Sequence, residues 1–361
     1  LLRAHRDTLR PTVTLRLDQL LLDIPGLCQA APMHQWKPTW EQLQAQYCAA
    51  LRSVELADEE DPREAEAYMA YEFKTQASRP LDNRHKALPR WFTPRYLVKF
   101  GSHIASGAFG SVRHGKLLGA DVVIKELNSG CTTADEWQQF RRELGLWFSL
   151  NHENLIKLYG ACDVGLPFFV CERATQGTLV SALKQNDKWN VWVMLWYAAK
   201  GLEHLHDNGI IHGDLKGNNI LVCEGDMFKR PIAKLADFGL SVLANGKTSG
   251  EQGARGAYRW KAPECLDGAP PSFASDIYSF GVCVVEAVSG QFPWGNTLDD
   301  RVVKYYVTKR RELLPLPPQL QGNKWKLIER MCAFDPDERI NAGAVVHILL
   351  RMSQQTQGSE L

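Results

Sequence analysis

No apolar run in this sequence approaches the roughly eighteen residues a membrane-spanning helix needs, and the leucine-rich start is interrupted by Arg3, Arg6, Arg10 and Arg16. A span within the chain and a signal peptide at its start are both excluded. No charge of one sign dominates. Lysine plus arginine number 42 against 41 acids, a net charge of +1, so nucleic acid or an anionic membrane finds no general electrostatic hold. The nine cysteines include no CxxC pair, which excludes a zinc ribbon and leaves no sign of a disulfide framework; free or buried thiols in a reducing, cytoplasmic compartment are expected. There is no internal repeat and no low-complexity tract. Opening at Leu1 without an initiator methionine, the sequence reads as a segment of a longer polypeptide, and an upstream membrane segment stays open.

Hydrophobic residues make up 45% and charged residues 23% of 361, enough for a sizeable core and more than one compact unit needs. Up to about residue 78 the pattern is helical. Val13, Leu17, Leu20, Leu21 and Ile24 share one helical face, and Trp40, Leu43, Tyr47, Leu51 and Val54 share another after the capping box of Thr39 and Gln42. Asp61, Pro62 and Glu64 announce a third helix. A small helical module over 1–78 is predicted, packing on itself or on its neighbour, with a protein partner as the alternative. Pro80, Pro89 and Pro94 mark a linker over 79–97, in which Trp91 and Phe92 form an apolar anchor. Three β-rich runs follow (Tyr96 to Ile104, Ser111 to Lys116, Asp121 to Leu127), then an amphipathic helix near 134–149 and mostly helical sequence from about 178.

Chemistry-bearing motifs lie in this second part. Residues 105–112 read ASGAFGSV between two strand-like runs, where Gly107 and Gly110 let main-chain amides approach phosphate oxygens. Lys125 stands alone among apolar strand residues in VVIKEL, and a lysine buried there needs an anionic partner. Glu143 can supply it from the helix opened by Thr133 and Glu136, whose inward stripe is Phe140, Leu144, Trp147 and Phe148.

Glycine loop, strand lysine and helix glutamate in this order resemble the small lobe of a protein kinase. IIHGDLKGNNILV at 210–222 resembles the kinase catalytic loop, and LADFGL at 235–240 the metal-binding segment. APE at Ala262 to Glu264, SDIYSFG at Ser275 to Gly281 and FDPDERI at Phe334 to Ile340 extend the likeness over about 98–353, leaving 354–361 as a tail. HENLIKLYGAC, RWKAPE and SDIYSFGV are most similar to the tyrosine kinase-like group of serine/threonine kinases. The fold implied is α+β and two-lobed, with a small β-rich lobe carrying one main helix and a large, mostly helical lobe.

By that resemblance ATP and Mg2+ are the cofactors and serine or threonine hydroxyls of proteins the acceptors. Lys125 would hold the α- and β-phosphates and pair with Glu143; Asp237 and Asn219 would bind magnesium. Asp214 would accept the substrate proton, and Lys216 would contact the γ-phosphate. The nucleotide set comprises Ala105, Ser106, Gly107, Ala108, Phe109, Gly110, Val112, Val123, Lys125, Cys171, Glu172, Ala174 and Leu221, with Cys171 at the gatekeeper position and the main chain of 172–174 offered to the purine. Trp147, Leu158, His212 and Phe238 correspond to a stacked hydrophobic spine. Glu264 and Arg339 correspond to a buried ion pair, and Asp276 to the support of the catalytic-loop backbone.

Three positions depart from the family pattern. Ala105 replaces the first loop glycine, Gly213 the arginine of the usual HRD, and Ala257 a threonine before APE. Without the HRD arginine, the receptor for an activation-loop phosphate on Ser241, Thr248 or Ser249 is missing, so competence is expected to be set by other contacts, such as the amino-terminal helices on the small lobe, and not by loop phosphate; Arg255 or Arg259 as a substitute receptor is the alternative. The competing readings are a pseudokinase scaffold, against which Lys125, Glu143, Asp214, Asn219 and Asp237 all stand intact, and a helical adaptor with kinase output.

Overall fold

A computed structural model describes residues 91–93, 95–107, 110–127, 144–145, 147–162, 167–225, 230–238 and 258–357. The expected helical module over 1–78, Glu143, the loop-tip residues Ala108 and Phe109, the acceptor candidates Ser241, Thr248 and Ser249, and Arg255 lie outside them. The described residues fall into two compact units, one within 91–127, 144–148 and 158–172, the other within 149–157 and 173–357.

The first unit is built on a five-stranded antiparallel sheet in the order β1-β2-β3-β5-β4. Its strands are β1 (Val98–Gly107), β2 (Gly110–Leu117), β3 (Ala120–Leu127), β4 (Leu158–Cys162) and β5 (Phe168–Cys171). Strand alternation sends Val122 and Ile124 of β3 and Phe168 and Val170 of β5 to one face, where Val98 and Cys162 join them and Phe92, Phe100 and Leu117 pack around the edge. Burying one such side chain contributes roughly 1.5 to 3 kcal/mol, so this face holds the sheet together. Tyr96 and Leu97, expected at the start of β1, lie instead in a 3-10 turn, Arg95–Leu97.

The anchor at Trp91 and Phe92 takes a definite form. Phe92 bridges Ala161 in parallel, the Thr93 N–H donates to the Ala161 carbonyl at 2.7 Å, and the Ala161 N–H donates to the Trp91 carbonyl at 2.8 Å. Gly160 makes room for this added strand, since a Cβ there would stand 1.9 Å from Thr93 Oγ1.

The second unit is mainly helical: α1 (Leu179–Gln185), α2 (Val191–Asp207), α3 (Pro263–Leu266), α4 (Phe273–Ser289), α5 (Asp300–Tyr305), α6 (Asn323–Met331) and α7 (Ala342–Gln357). A two-stranded antiparallel ribbon, β6 (Ile220–Glu224) with β7 (Pro231–Leu235), accompanies them. Side-chain caps start the long helices. Asn190 Oδ1 accepts the N–H of Trp192 at 2.9 Å, and Ser272 and Ser275 form a reciprocal capping box on α4. Helix α4 is apolar on all sides, burying twelve of its seventeen residues, and Gly290 ends it in the left-handed conformation at φ +65°. A helix so placed is the core of its unit. Glu264 and Arg339 form the expected pair as a two-pronged contact, Nη1 to Oε1 at 2.6 Å and Nη2 to Oε2 at 2.7 Å.

Candidate active site

In the small lobe the strand register gathers much of the expected nucleotide set. β1 and β2 pair Ala105 with Val112, Ser106 with Ser111 and Gly107 with Gly110, so 105–107 and 110–112 are the two arms of a hairpin. Val112 lies opposite Lys125, Lys125 opposite Phe169, and Val123 opposite Cys171. Since Val122 and Ile124 face the apolar cluster, Ala105, Val112, Val123, Lys125, Phe169 and Cys171 occupy the other face of the sheet. Gly110 is buried for a packing reason as well: a Cβ would come 1.8 Å from the Glu126 carbonyl oxygen. Lys125 is 9% exposed. Trp147 lies beside Phe169, the rings tilted by 39° with centroids 5.6 Å apart, and Leu158 lies opposite Cys171. Glu172 and Ala174 follow β5 in irregular chain.

The large lobe contains the catalytic-loop sequence, and there the geometry is explicit. Lys216 Nζ donates to Asp214 Oδ2 at 2.5 Å. Asn219 Nδ2 donates to the Asp214 carbonyl at 2.7 Å and to Oδ2 at 3.3 Å. Its amide nitrogen is thus committed, which leaves Oδ1 as a hard oxygen able to hold a cation. The Ala236 N–H donates to the Asn219 carbonyl at 2.9 Å, which brings Asp237 one residue from that tie. Asp237 has φ +61°, a left-handed conformation costly for most side chains and tolerated best by Asn and Asp. One carboxylate and one amide oxygen suit Mg2+, which takes its remaining ligands from phosphates and water.

Behind the loop, Asp276 Oδ2 accepts the His212 N–H at 2.7 Å and Oδ1 the Gly213 N–H at 2.9 Å, while His206 Nε2 lies 3.1 Å from Oδ2. Gly213 has φ +74°, where glycine carries no side-chain penalty. His212 is fully buried, and desolvation lowers its pKa against the opposing pull of Asp276. The Asp214 N–H points at His212 Nδ1 at 3.4 Å, and the His212 ring meets Phe238 edge-on, centroids 6.2 Å apart. Leu221 lies on β6, half-buried and bridged to Thr178.

The structure removes Arg259 from the alternatives. Arg259 is no free receptor for a loop phosphate. It is 6% exposed, and its guanidinium is committed to Asp300 Oδ1 (Nε, 2.8 Å), the Pro293 and Gly295 carbonyls (Nη1, 2.8 and 2.7 Å) and the Leu298 carbonyl. Phe292 covers it, 4.8 Å from Cζ to ring centroid. Sequence reasoning also passed over Glu286, a carboxylate alone in the apolar run VCVVEAV; such a residue must find donors, and that was its signal.

Fold and loop geometry together define a protein kinase catalytic domain. The protein tyrosine and serine/threonine kinase family matches residues 98–349, and the chain belongs to it. Among similar proteins, the serine/threonine-protein kinase CTR1 of Arabidopsis thaliana is 32% identical over 255 residues, 68% of this chain and 30% of that protein. The serine/threonine/tyrosine-protein kinase HT1 of the same plant is 29% identical over 269 residues, 72% and 67% respectively. The RAF proto-oncogene serine/threonine-protein kinase of Xenopus laevis is 30% identical over 246 residues, 65% and 37%. The chain thus spans between about a third and two thirds of the length of these relatives. No described helix is long and apolar enough to cross a membrane.

Proposed function

We propose that this chain transfers the γ-phosphate of ATP to serine and threonine hydroxyls of protein substrates in signal transduction, with Mg2+ as the metal. The observation that carries the reading is the state of Asp214: its carboxylate is held by Lys216 and Asn219, and the main chain just before it is anchored on Asp276. MgATP, when bound, supplies the phosphoryl group and neutralises its charge. Asp214 orients the acceptor hydroxyl and takes its proton, and Lys216, already at that carboxylate, faces the charge developing on the γ-phosphate. Asn219 Oδ1 and Asp237 are the metal ligands. Lys125, on the sheet face it shares with Val112, Val123 and Cys171, takes the α- and β-phosphates; Glu143 is assigned as its partner. The hairpin 105–110 covers the phosphates, and Glu172, Ala174 and Leu221 belong to the purine site.

Lysine at 216, two residues past Asp214, and the likeness to serine/threonine-protein kinases support serine/threonine as acceptor. Cysteines without a CxxC pair suit a cytoplasmic location. Purified chain incubated with Mg2+, labelled ATP and a degenerate peptide array tests the central reading. Label on serine and threonine peptides is expected; label chiefly on tyrosine, or none, contradicts it.

A further inference from the structure

Helix α4 carries two acids, Asp276 and Glu286, both buried, ten residues and about 15 Å of helix apart. Asp276 anchors residues 212 and 213 of the catalytic loop. Glu286 meets the same loop farther along. Its Oε2 accepts the Trp260 indole N–H at 2.9 Å, and the Gly217 main-chain amide faces the same carboxylate. The approach is tight enough that a Cβ on residue 217 would stand 2.3 Å from Oε2 and 2.6 Å from Oε1. Gly217 opens the 3-10 turn Gly217–Asn219, which delivers Asn219 to Asp214; Trp260 closes the turn Tyr258–Trp260, which leads into α3. One carboxylate therefore joins the turn beside Asp214 to the segment that precedes α3.

Resting on the reading of Asp214 as the catalytic base, we propose that ionised Glu286 is a positioning residue for phosphoryl transfer: accepting from Gly217 and Trp260 together, it fixes the turn that carries Asn219, and its protonation releases that hold. An ionised carboxylate only accepts, so two N–H donors suit it; a protonated one brings an O–H of its own into a site already filled by donors. Burial raises the Glu286 pKa to about 6, against the Trp260 and Gly217 N–H groups and the Lys184 charge, which lower it. Other ionisable groups stand around it. Lys184 reaches the carboxylate from α1; Cys283, one turn back on α4, has its thiol pKa pushed well up by burial, and Asp214 and Lys216, which also act on Cys283, are paired with each other. Arg259, beside Trp260, is bound to Asp300 and main-chain carbonyls.

The test pairs kinetics with a readout that needs no turnover. In full-length chain labelled with 15N-tryptophan and 15N-glycine, the Trp260 indole and Gly217 amide resonances are expected to titrate with one midpoint near pH 6 and to lose that titration in Glu286→Gln. The parent kcat is expected to fall through the same midpoint as pH drops. Glu286→Gln is expected to lower kcat by about 10- to 100-fold at pH 7.5 with KM for ATP unchanged, the scale of a misplaced reacting group. Should Glu286→Gln not fold, Trp260→Phe serves instead: removing one donor to the charged form moves the midpoint to higher pH. Two unrelated midpoints, an unshifted midpoint in Trp260→Phe, or a parent-like kcat in Glu286→Gln overturns the role of Glu286 while the kinase reading stands. A parent as inactive as Asp214→Asn at every pH defeats the kinase reading and this inference with it.

Discussion

The Asp276 carboxylate accepts the Gly213 N–H at 2.9 Å, from a residue whose φ of +74° few side chains adopt without strain. With the His212 N–H on its other oxygen, Asp276 holds both residues before Asp214. Asp276→Asn keeps one accepting oxygen and turns an NH2 toward a donor. The variant should lose about 1 to 3 kcal/mol of stability and a large part of kcat. Urea unfolding and saturated turnover check this, and parent values in both contradict it.

Loop phosphorylation should not be required for activity. Gly213 has no side chain to receive a phosphate, and Arg259 is bound elsewhere. Phosphatase-treated protein and a Ser241, Thr248, Ser249 triple-alanine variant should both stay within tenfold of the untreated parent. A larger fall in both, reversed in the treated protein by rephosphorylation, contradicts the prediction. Arg259→Gln should instead destabilise by about 1 to 3 kcal/mol, as loss of a buried donor to carbonyls and to the partly exposed Asp300 does, whatever the phosphorylation state.

The catalytic loop was legible in the sequence because its geometry is local. Asp214, Lys216 and Asn219 lie within five residues of one another, and the family motif specifies their contacts. The face shared by Val112, Val123, Lys125 and Cys171 followed from strand alternation once β2, β3 and β5 were placed. Contacts between distant residues were hidden. Nothing local links Gly217 to Glu286 or Thr93 to Ala161, and in each case the visible trace was a glycine where a Cβ would collide, Gly217 and Gly160. Arg259 looked like a free cation because its acceptors are mostly main-chain carbonyls between 293 and 298, which carry no sequence signature.

Glu286 should set part of the pH dependence of stability. Its folded pKa, about 6, lies above the ordinary 4.5, so its favourable contribution is full below pH 4.5 and is lost as pH rises through 6. The shift corresponds to about 2 kcal/mol at pH 7.5. From pH 4.5 up to 7.5 the stability of Glu286→Gln relative to the parent should therefore rise by about that amount, although at pH 7.5 the variant's kcat stays below the parent's. Urea titrations of both proteins across this range check the sign; a flat or falling difference contradicts it.

Transfer of labelled phosphate from ATP by the parent, Lys125→Met, Asp214→Asn and Asp237→Asn tests the central claim most directly. Each substitution removes a group fixed at a place where charge develops or is neutralised, worth about 3 to 4 kcal/mol in the transition state. All three variants should unfold cooperatively like the parent and transfer phosphate slower by at least two to three orders of magnitude. Folded variants that transfer phosphate at the parent rate would contradict the assignment of this site.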